Sequence, residues 1–419
     1  MRTIILGGGI SGLSAAWFLH KKDPRREILL LEKKERLGGW IEGSIEGEFC
    51  FEKGPRTLSY SRSTHLLRLI HELGLEDQII YSSPSAKHRF LWKGGKLRSL
   101  SSFWPTLLAG ACREFFAPKK NSEEDESIYA FASRRFGPRI ADIFFDPLTL
   151  GIYAGDIHKL SIRSCFPSLC RWEMQEGSIM RGMLKTKRGS SKLFTLQGGL
   201  ETLILEMQKQ LPIEIITNCE VERLSRGEII TSQGVFQADQ VISALSAQEI
   251  SRVTKMTFDV PCRSLWVVHL GFHSNQVLRR KGFGYLVPTQ EKERLLGMVW
   301  DSEIFGSASQ TRLTAMIREE SPSPLEDALE ALERHLSIQL KPDYVSCHFA
   351  SGAIPQFEVG YEEKLACFEK EAAEKFPYLL LAGNYWKGAS LDACVARSLD
   401  CIAEEAHRQP SGKGSEDEQ

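Results

Sequence analysis

The 419-residue chain has no surplus of charge: 53 lysines and arginines meet 54 aspartates and glutamates, a formal net charge of -1. A domain that grips a polyanion needs a basic face, so no nucleic-acid partner is expected. No apolar run approaches the ~18–20 residues that span a bilayer, so the chain is not expected to cross a membrane. None of its ten cysteines stands in a Cys-x-x-Cys pair. Cys165 and Cys170 lack a partner spaced to complete a metal site, and no metal is expected. The N-terminus reads as a core strand, not as a positively charged leader. These absences favour a reducing, cytoplasmic setting with free, mostly buried thiols. The chain is 42% hydrophobic and 26% charged, ordinary for a globular protein, and long enough for two or three domains.

The first forty residues organise the rest. Thr3-Ile4-Ile5-Leu6 reads as a buried strand and Leu13-Ser14-Ala15-Ala16 as the start of a helix. Between them lies Gly7-Gly8-Gly9-Ile10-Ser11-Gly12, so Gly7-x-Gly9-x-x-Gly12 has the strand–loop–helix frame that a dinucleotide site requires. Gly7 permits the tight turn, Gly9 lets backbone approach a pyrophosphate, and Gly12 lets the helix pack on the strand. Ile10 and Ser11 open the helix, whose free N–H groups favour phosphate. A second strand, Glu27 to Glu32, ends in an acid that can accept hydrogen bonds from ribose hydroxyls and would repel a 2′-phosphate. Lys33 follows it and is counted with the site.

Arg36-Leu37-Gly38-Gly39-Trp40 comes next, a glycine turn with a charge beside it. Arg-x-Gly-Gly at this place resembles the second motif of the FAD-binding, amine-oxidase-like flavoproteins. A hairpin from Ile41 to Glu52 then leads into Lys53-Gly54-Pro55-Arg56. Glu32, Arg36 to Ile41 and Phe51-Glu52-Lys53-Gly54-Pro55-Arg56 together resemble the protoporphyrinogen oxidase family. The resemblance continues in order through Gly151-Ile152-Tyr153-Ala154-Gly155-Asp156 and Leu160-Ser161-Ile162-Arg163-Ser164-Cys165-Phe166-Pro167. It closes on Leu379 to Gly383 followed by the helix that Leu391 helps to open, and covers roughly residues 1 to 405.

The resemblance implies FAD as cofactor. It implies that Gly54, Pro55 and Arg56 lie near the flavin, and that the backbone of Val221 pairs with adenine. It implies that Gly383 and Leu391 belong to a third FAD motif, which also takes in Lys387. It implies that Arg89 anchors a substrate propionate and that Gly151, Leu286 and Met316 line the pocket. Some members carry arginine before that glycine; Leu150 stands here, and no charge role is carried over. No catalytic side chain is assigned beyond the nearness of Arg56 to the flavin.

The expected fold is α/β. A Rossmann-like FAD-binding domain is built from residues 1–84, 195–255 and 375–408. A sheet-rich substrate domain takes 85–104, 179–194 and 256–374. A helical domain, 105–178, is inserted between them, and 409–419 read as a disordered tail. The helix from Ser63 to Gly74 is expected to be capped by Ser63, and the strands between Ser264 and Ser346 to form an antiparallel wall. The aromatic, partly basic stretch from Phe103 to Lys120 suits either a helical core or the inner face of a membrane.

The implied activity is oxidation of a porphyrinogen, with molecular oxygen or another electron acceptor; a homodimer is left open. A coproporphyrinogen oxidase of the same fold is the nearest alternative. Another amine-oxidase-like flavoenzyme would share the N-terminal motifs but not Gly54-Pro55-Arg56, and a non-catalytic FAD scaffold would show no substrate-dependent flavin reduction.

Overall fold

The computed structural model describes residues 1–120, 124–186, 192–225, 227–307, 309–386 and 388–408. The expected tail, 409–419, and Lys387 lie outside them.

The dinucleotide frame is a five-stranded parallel sheet. Its strands, in spatial order, are Glu214–Ile216, Glu27–Leu31, Arg2–Leu6, Gln240–Ser243 and Leu379–Leu381. Ile4, Ile5, Leu6, Leu30, Val241 and Ile242 are all fully buried. That is why these short strands are mostly apolar: helices or loops cover both faces. The first helix, Ile10–Lys22, and the last, Leu391–Arg408, pack together over one face. The Ser398 hydroxyl donates to the Ser11 carbonyl at 2.8 Å, locking the chain's two ends.

The second sheet has seven strands, in the order Tyr344–Pro355, Cys262–Phe272, Thr311–Arg318, Leu295–Val299, Gly284–Leu286, Arg89–Trp92 and Leu97–Ser99. The antiparallel wall expected between 264 and 346 is therefore wider and mixed. Gly284–Leu286 pairs in parallel with Arg89–Trp92, and Tyr344–Pro355 adds a long outer strand. One face packs on the helix Pro324–Leu336 through Val268, Leu270, Leu313, Ala315 and Ile317. The opposite face looks toward the dinucleotide domain.

Between Leu97–Ser99 and Leu193–Leu196 the described chain is helical, from Trp104–Phe116 to Ile179–Lys185. The helices continue past 178, through Ile179–Lys185. The carboxylate of Glu114 accepts from Ser178 Oγ and from the N–H groups of Ile179 and Met180, so it caps the 179–185 helix from within the helical unit. Leu193–Leu196 then pairs with Leu58–Ser59 and Ile79–Tyr81, beside the dinucleotide domain rather than in the substrate sheet.

Ser63 is not the cap of Thr64–Glu72: its side chain makes no capping bond. Asp392 does this from the far end of the chain, accepting from the N–H groups of His65 and Leu66 at 2.7 and 2.8 Å. A carboxylate at a helix N-terminus gains from both the orphan N–H groups and the dipole. The free thiols are less uniformly buried than expected: Cys112, Cys347 and Cys367 are exposed. Among the described residues no helix is long and apolar enough to cross a membrane.

Candidate active site

The glycine loop forms a cradle made of backbone. A Cβ on Gly12 would stand 1.9 Å from the Gly7 carbonyl oxygen, so only glycine lets the helix seat this close to the strand. Gly7 has φ +98°, a conformation that side chains resist. Gly38 and Gly39, also at positive φ, lie against this loop. A Cβ on Gly39 would come within 3.1 Å of the Gly9 Cα, and the Gly38 N–H donates to the Gly8 carbonyl at 2.8 Å. The two glycine turns thus present bare backbone together at the N-terminus of the Ile10–Lys22 helix. This fits a pyrophosphate, which needs N–H groups and no intervening side chain.

Glu32 is nearly buried at the end of its strand; its Oε2 accepts from the Gly8 N–H at 2.7 Å and its Oε1 from the Lys34 N–H at 2.8 Å. These bonds fix the carboxylate beside the glycine loop, where a ribose would sit. Arg36 is turned inward. Its Nη1 donates to the carbonyl of Leu37 and its Nη2 to that of Gly39, and it pairs with Glu42. It braces the glycine turn more than it offers free charge. Lys33 pairs with Glu249 at 3.3 Å at an exposed position. Val221 is buried close to the Glu32 strand end, where the Cys219 N–H donates to the Glu32 carbonyl. Its own carbonyl already accepts from Arg252 Nη2 at 2.8 Å.

Gly383, at φ +114°, stands just past Leu379–Leu381. Leu391 is buried at the start of the last helix. Gly54 lies against Trp40: a Cβ there would be 1.9 Å from the Trp40 carbonyl oxygen. Trp40 itself is 40% exposed and contributes mainly this backbone contact. The Gly54-Pro55-Arg56 loop therefore continues the same glycine surface toward the second sheet.

Strand register gathers the residues expected to meet the substrate on the face of the seven-stranded sheet that looks toward this loop. Arg89 pairs with Gly284, and Leu91 with Leu286; Leu286 pairs with Gly297, which pairs with Met316, which pairs with Val267. Alternation then puts Leu91, Leu286, Gly297, Met316 and Val267 side by side in one apolar row. Arg89 stands in the neighbouring row. Its guanidinium lies 4.7 Å from the Phe283 ring centroid and, among the described residues, forms no ion pair. Gly151 comes down on Leu286 from the helical unit, so close that a Cβ would meet Leu286 Cδ2 at 2.7 Å.

The row beside Met316, toward the Gly54-Pro55-Arg56 loop, is polar. His269 is fully buried, with Nδ1 3.0 Å from Ser346 Oγ and Nε2 3.1 Å from the Glu52 carbonyl. Burial and the nearby Arg56 charge pull its pKa down to about 3, so the ring is neutral. A carbonyl can only accept, so Nε2 carries the hydrogen and Nδ1 accepts from the serine. The Arg56 guanidinium lies 3.8 Å from Asp301, whose other oxygen accepts from Thr314 Oγ1 at 2.7 Å. Burial raises the Asp301 carboxyl, with Arg56 and Thr314 opposing. Glu52 accepts from the Leu200 N–H at 2.6 Å through Oε1, while its buried Oε2 has no hydrogen-bond partner among the described residues. Burial pushes the Glu52 carboxyl up to about 7, against that hydrogen bond and Arg56. The sequence reading missed His269, Glu52 and Asp301. Its one usable signal was an isolated histidine inside an apolar strand.

Residues 10–399 match the family model of the flavin-containing amine oxidoreductases. The chain is 30% identical to bovine (Bos taurus) protoporphyrinogen oxidase, over 97% of this chain and 99% of that one. It is 25% identical to the coproporphyrinogen III oxidase of Bacillus subtilis, over 96% and 97%. A solved structure from Exiguobacterium sp. 255-15 shares the fold, with a TM-score of 0.86 at 24% identity over 97% of this chain and 99% of that one. The glycine cradle fits FAD, and the protein is an FAD-dependent oxidoreductase. The chain belongs to the flavin-containing amine oxidoreductases, within the branch that holds the protoporphyrinogen oxidases.

Proposed function

We propose that this enzyme oxidises protoporphyrinogen IX to protoporphyrin IX in heme synthesis, with molecular oxygen as the final electron acceptor. The observation that carries the reading is the arginine-edged apolar row: Leu286 and Met316 on either side of Gly297, Gly151 against Leu286, and Arg89 one row away. A flat macrocycle needs an apolar face and close backbone, and a propionate needs a guanidinium at the rim.

Bound FAD supplies hydride acceptance in two-electron steps. The chain's own residues do the rest. Arg89 holds a propionate and fixes the ring's rotation. Leu286, Met316 and Val267 exclude water from one face, and Gly151 admits the ring's edge without a side chain in the way. Developing aromaticity drives loss of the pyrrole protons, so the row needs no strong base, and Leu91, Leu286, Gly297, Met316 and Val267 include none. Positioning and desolvation are the catalytic contribution.

A cavity of about 450 Å³ between the helical unit and the sheet favours this substrate over coproporphyrinogen. Five carboxylates line it, Asp142, Asp146, Asp156, Glu319 and Glu320, against the guanidiniums of Arg263 and Arg318. Arg263 already pairs with Glu319 at 3.6 Å. Arg318 is four residues along its strand from Thr314, which shares a row with Arg89 three strands away, so this wall stands ~13 Å along the strands and ~14 Å across them from Arg89. A ring held by its propionates at Arg89 turns its opposite edge to the acidic wall. Protoporphyrinogen carries uncharged vinyl groups there, and coproporphyrinogen carries two more carboxylates.

The helical unit also supports a peripheral membrane contact on the inner face of the membrane. Trp104, Phe116 and Leu184 are 63%, 82% and 73% exposed, with Arg113 and Lys119 near them in the chain. An apolar edge with basic residues beside it suits an anionic bilayer surface. Co-flotation with anionic vesicles, lost in a Trp104→Ser/Phe116→Ser variant, is the expected result.

The oxidation is tested anaerobically. Protoporphyrinogen should bleach the bound flavin within the catalytic turnover time, and admitted air should restore the colour. A flavin that stays oxidised in the presence of the porphyrinogen would overturn the reading.

A further inference from the structure

The hairpin strand Phe49–Glu52 feeds the Gly54-Pro55-Arg56 loop, and the substrate sheet, with the short helix Asp301–Phe305 that follows its strand Leu295–Val299, grips this segment at three successive points. Arg312 Nη1 donates to the Cys50 carbonyl at 2.6 Å. His269 Nε2 donates to the Glu52 carbonyl at 3.1 Å, and its ring stacks on Phe51 at 4.6 Å between centroids, 11° from parallel. Asp301 faces the Arg56 guanidinium at 3.8 Å. Two of the gripping residues are themselves held from the sheet: His269 by Ser346, and Asp301 by Thr314. Arg312, Thr314 and Met316 alternate along one strand and share a face. The grips therefore share a surface with the pocket-lining Met316.

The bonds leave particular atoms unused. The Arg56 side chain is 10% exposed; Nη2 reaches the Glu52 carbonyl at 3.4 Å, and buried Nη1 has no hydrogen-bond partner among the described residues. That Nη1 is the atom facing Asp301, an ion-pair contact too long for a hydrogen bond, and a buried N–H short of an acceptor is costly.

We infer that Arg312, His269 and Asp301 are positioning residues through which the substrate sheet sets where the Gly54-Pro55-Arg56 loop stands against the flavin. Asp301 both orients Arg56 and offsets its charge; His269 fixes the carbonyl four residues before it. A neutral histidine suits this task, because its single N–H has one direction and no alternative protonation state in the working range. The polar row then couples the sheet that lines the substrate to the loop that faces the cofactor. This rests on FAD binding and not on which porphyrinogen is oxidised.

The test uses the full chain carrying FAD, with Asp301→Asn and His269→Phe. Four quantities are read: the flavin midpoint potential, kcat, KM and the melting temperature. The phenylalanine keeps the stack on Phe51 and loses only the hydrogen bonds. Both variants should keep FAD and hold KM within about twofold, while kcat falls about tenfold. Asp301→Asn should raise the midpoint potential, because removing a negative charge favours the electron-rich reduced flavin. Asp301→Glu should restore part of kcat. If a variant melts lower but keeps the wild-type kcat and potential, the residues only stabilise the fold and the inference fails. Should Asp301→Asn not fold, Thr314→Val removes the bond that holds Asp301. It must then show the same shift in potential at smaller size, and an unchanged potential there overturns the inference too. The potential is measurable even if no porphyrinogen is oxidised, which separates this failure from failure of the proposed function.

Discussion

Replacing Arg89 with alanine should weaken substrate capture with little harm to the fold. Its guanidinium leans on the Phe283 ring and pairs with no protein carboxylate among the described residues. Removal therefore strands no buried acid, and the stability loss should stay near ~0.5 kcal/mol. A charged hydrogen bond from a guanidinium to a propionate is worth ~1.5–3 kcal/mol. KM for protoporphyrinogen should rise about ten- to a hundredfold, with kcat changed by less than about threefold, because the anchor acts alike in ground and transition states. Arg89→Lys keeps the charge but loses the fork and should fall between. Initial rates of porphyrin fluorescence against substrate concentration give both constants, and a thermal melt controls for folding. An unchanged KM in Arg89→Ala would refute the anchor.

Three further outcomes are expected. Gly12→Ala and Gly54→Ala each drive a Cβ to 1.9 Å from a backbone oxygen, so the glycine surface must open; FAD affinity should drop at least about a hundredfold, and normal flavin content would contradict the cradle. Glu52 holds its proton up to about pH 7 in the folded chain, well above an ordinary glutamate. The folded state thus binds more protons than the unfolded one between pH ~4.5 and ~7, and stability falls as pH rises through that window. In urea melts of apoprotein, Glu52→Gln should gain about 2–3 kcal/mol on wild type between pH 5 and 8; a constant difference would refute the raised value. Neutralising the acidic wall with Asp142→Asn and Glu320→Gln should raise the coproporphyrinogen-to-protoporphyrinogen ratio of kcat/KM about tenfold, and a fixed ratio would remove the wall from specificity.

The cofactor side of the fold was legible because close backbone approach leaves a written mark. Glycine is the residue that fits at Gly7, Gly12, Gly38 and Gly54, and the spacing survives in the sequence. The parallel sheet was legible for a related reason, since burial on both faces makes its strands mostly apolar. The substrate sheet was less so. Arg89–Trp92 joins strands that follow it by about two hundred residues, and no local pattern encodes that pairing. Tyr344–Pro355 alternates exposed and half-buried positions at an edge and carries Gly352 and a register shift near its end. Asp392 caps a helix 327 residues away in sequence, whereas Ser63 sat at the locally sensible place. Arg36 looked like a charge for the cofactor because its neighbours are glycines; the structure shows those glycine-turn carbonyls taking its donors. For His269, only its two partners, Glu52 and Ser346, reveal that it works as a hydrogen-bonding strut.

The most direct test of the account is porphyrin fluorescence from the purified, FAD-loaded protein in air, offered protoporphyrinogen IX and, separately, coproporphyrinogen III. The account predicts faster protoporphyrin formation, abolished when FAD is removed and restored when it returns. Faster coproporphyrin would contradict the assigned substrate while leaving the flavin chemistry in place. Enzyme-dependent fluorescence from neither would contradict the proposed reaction itself.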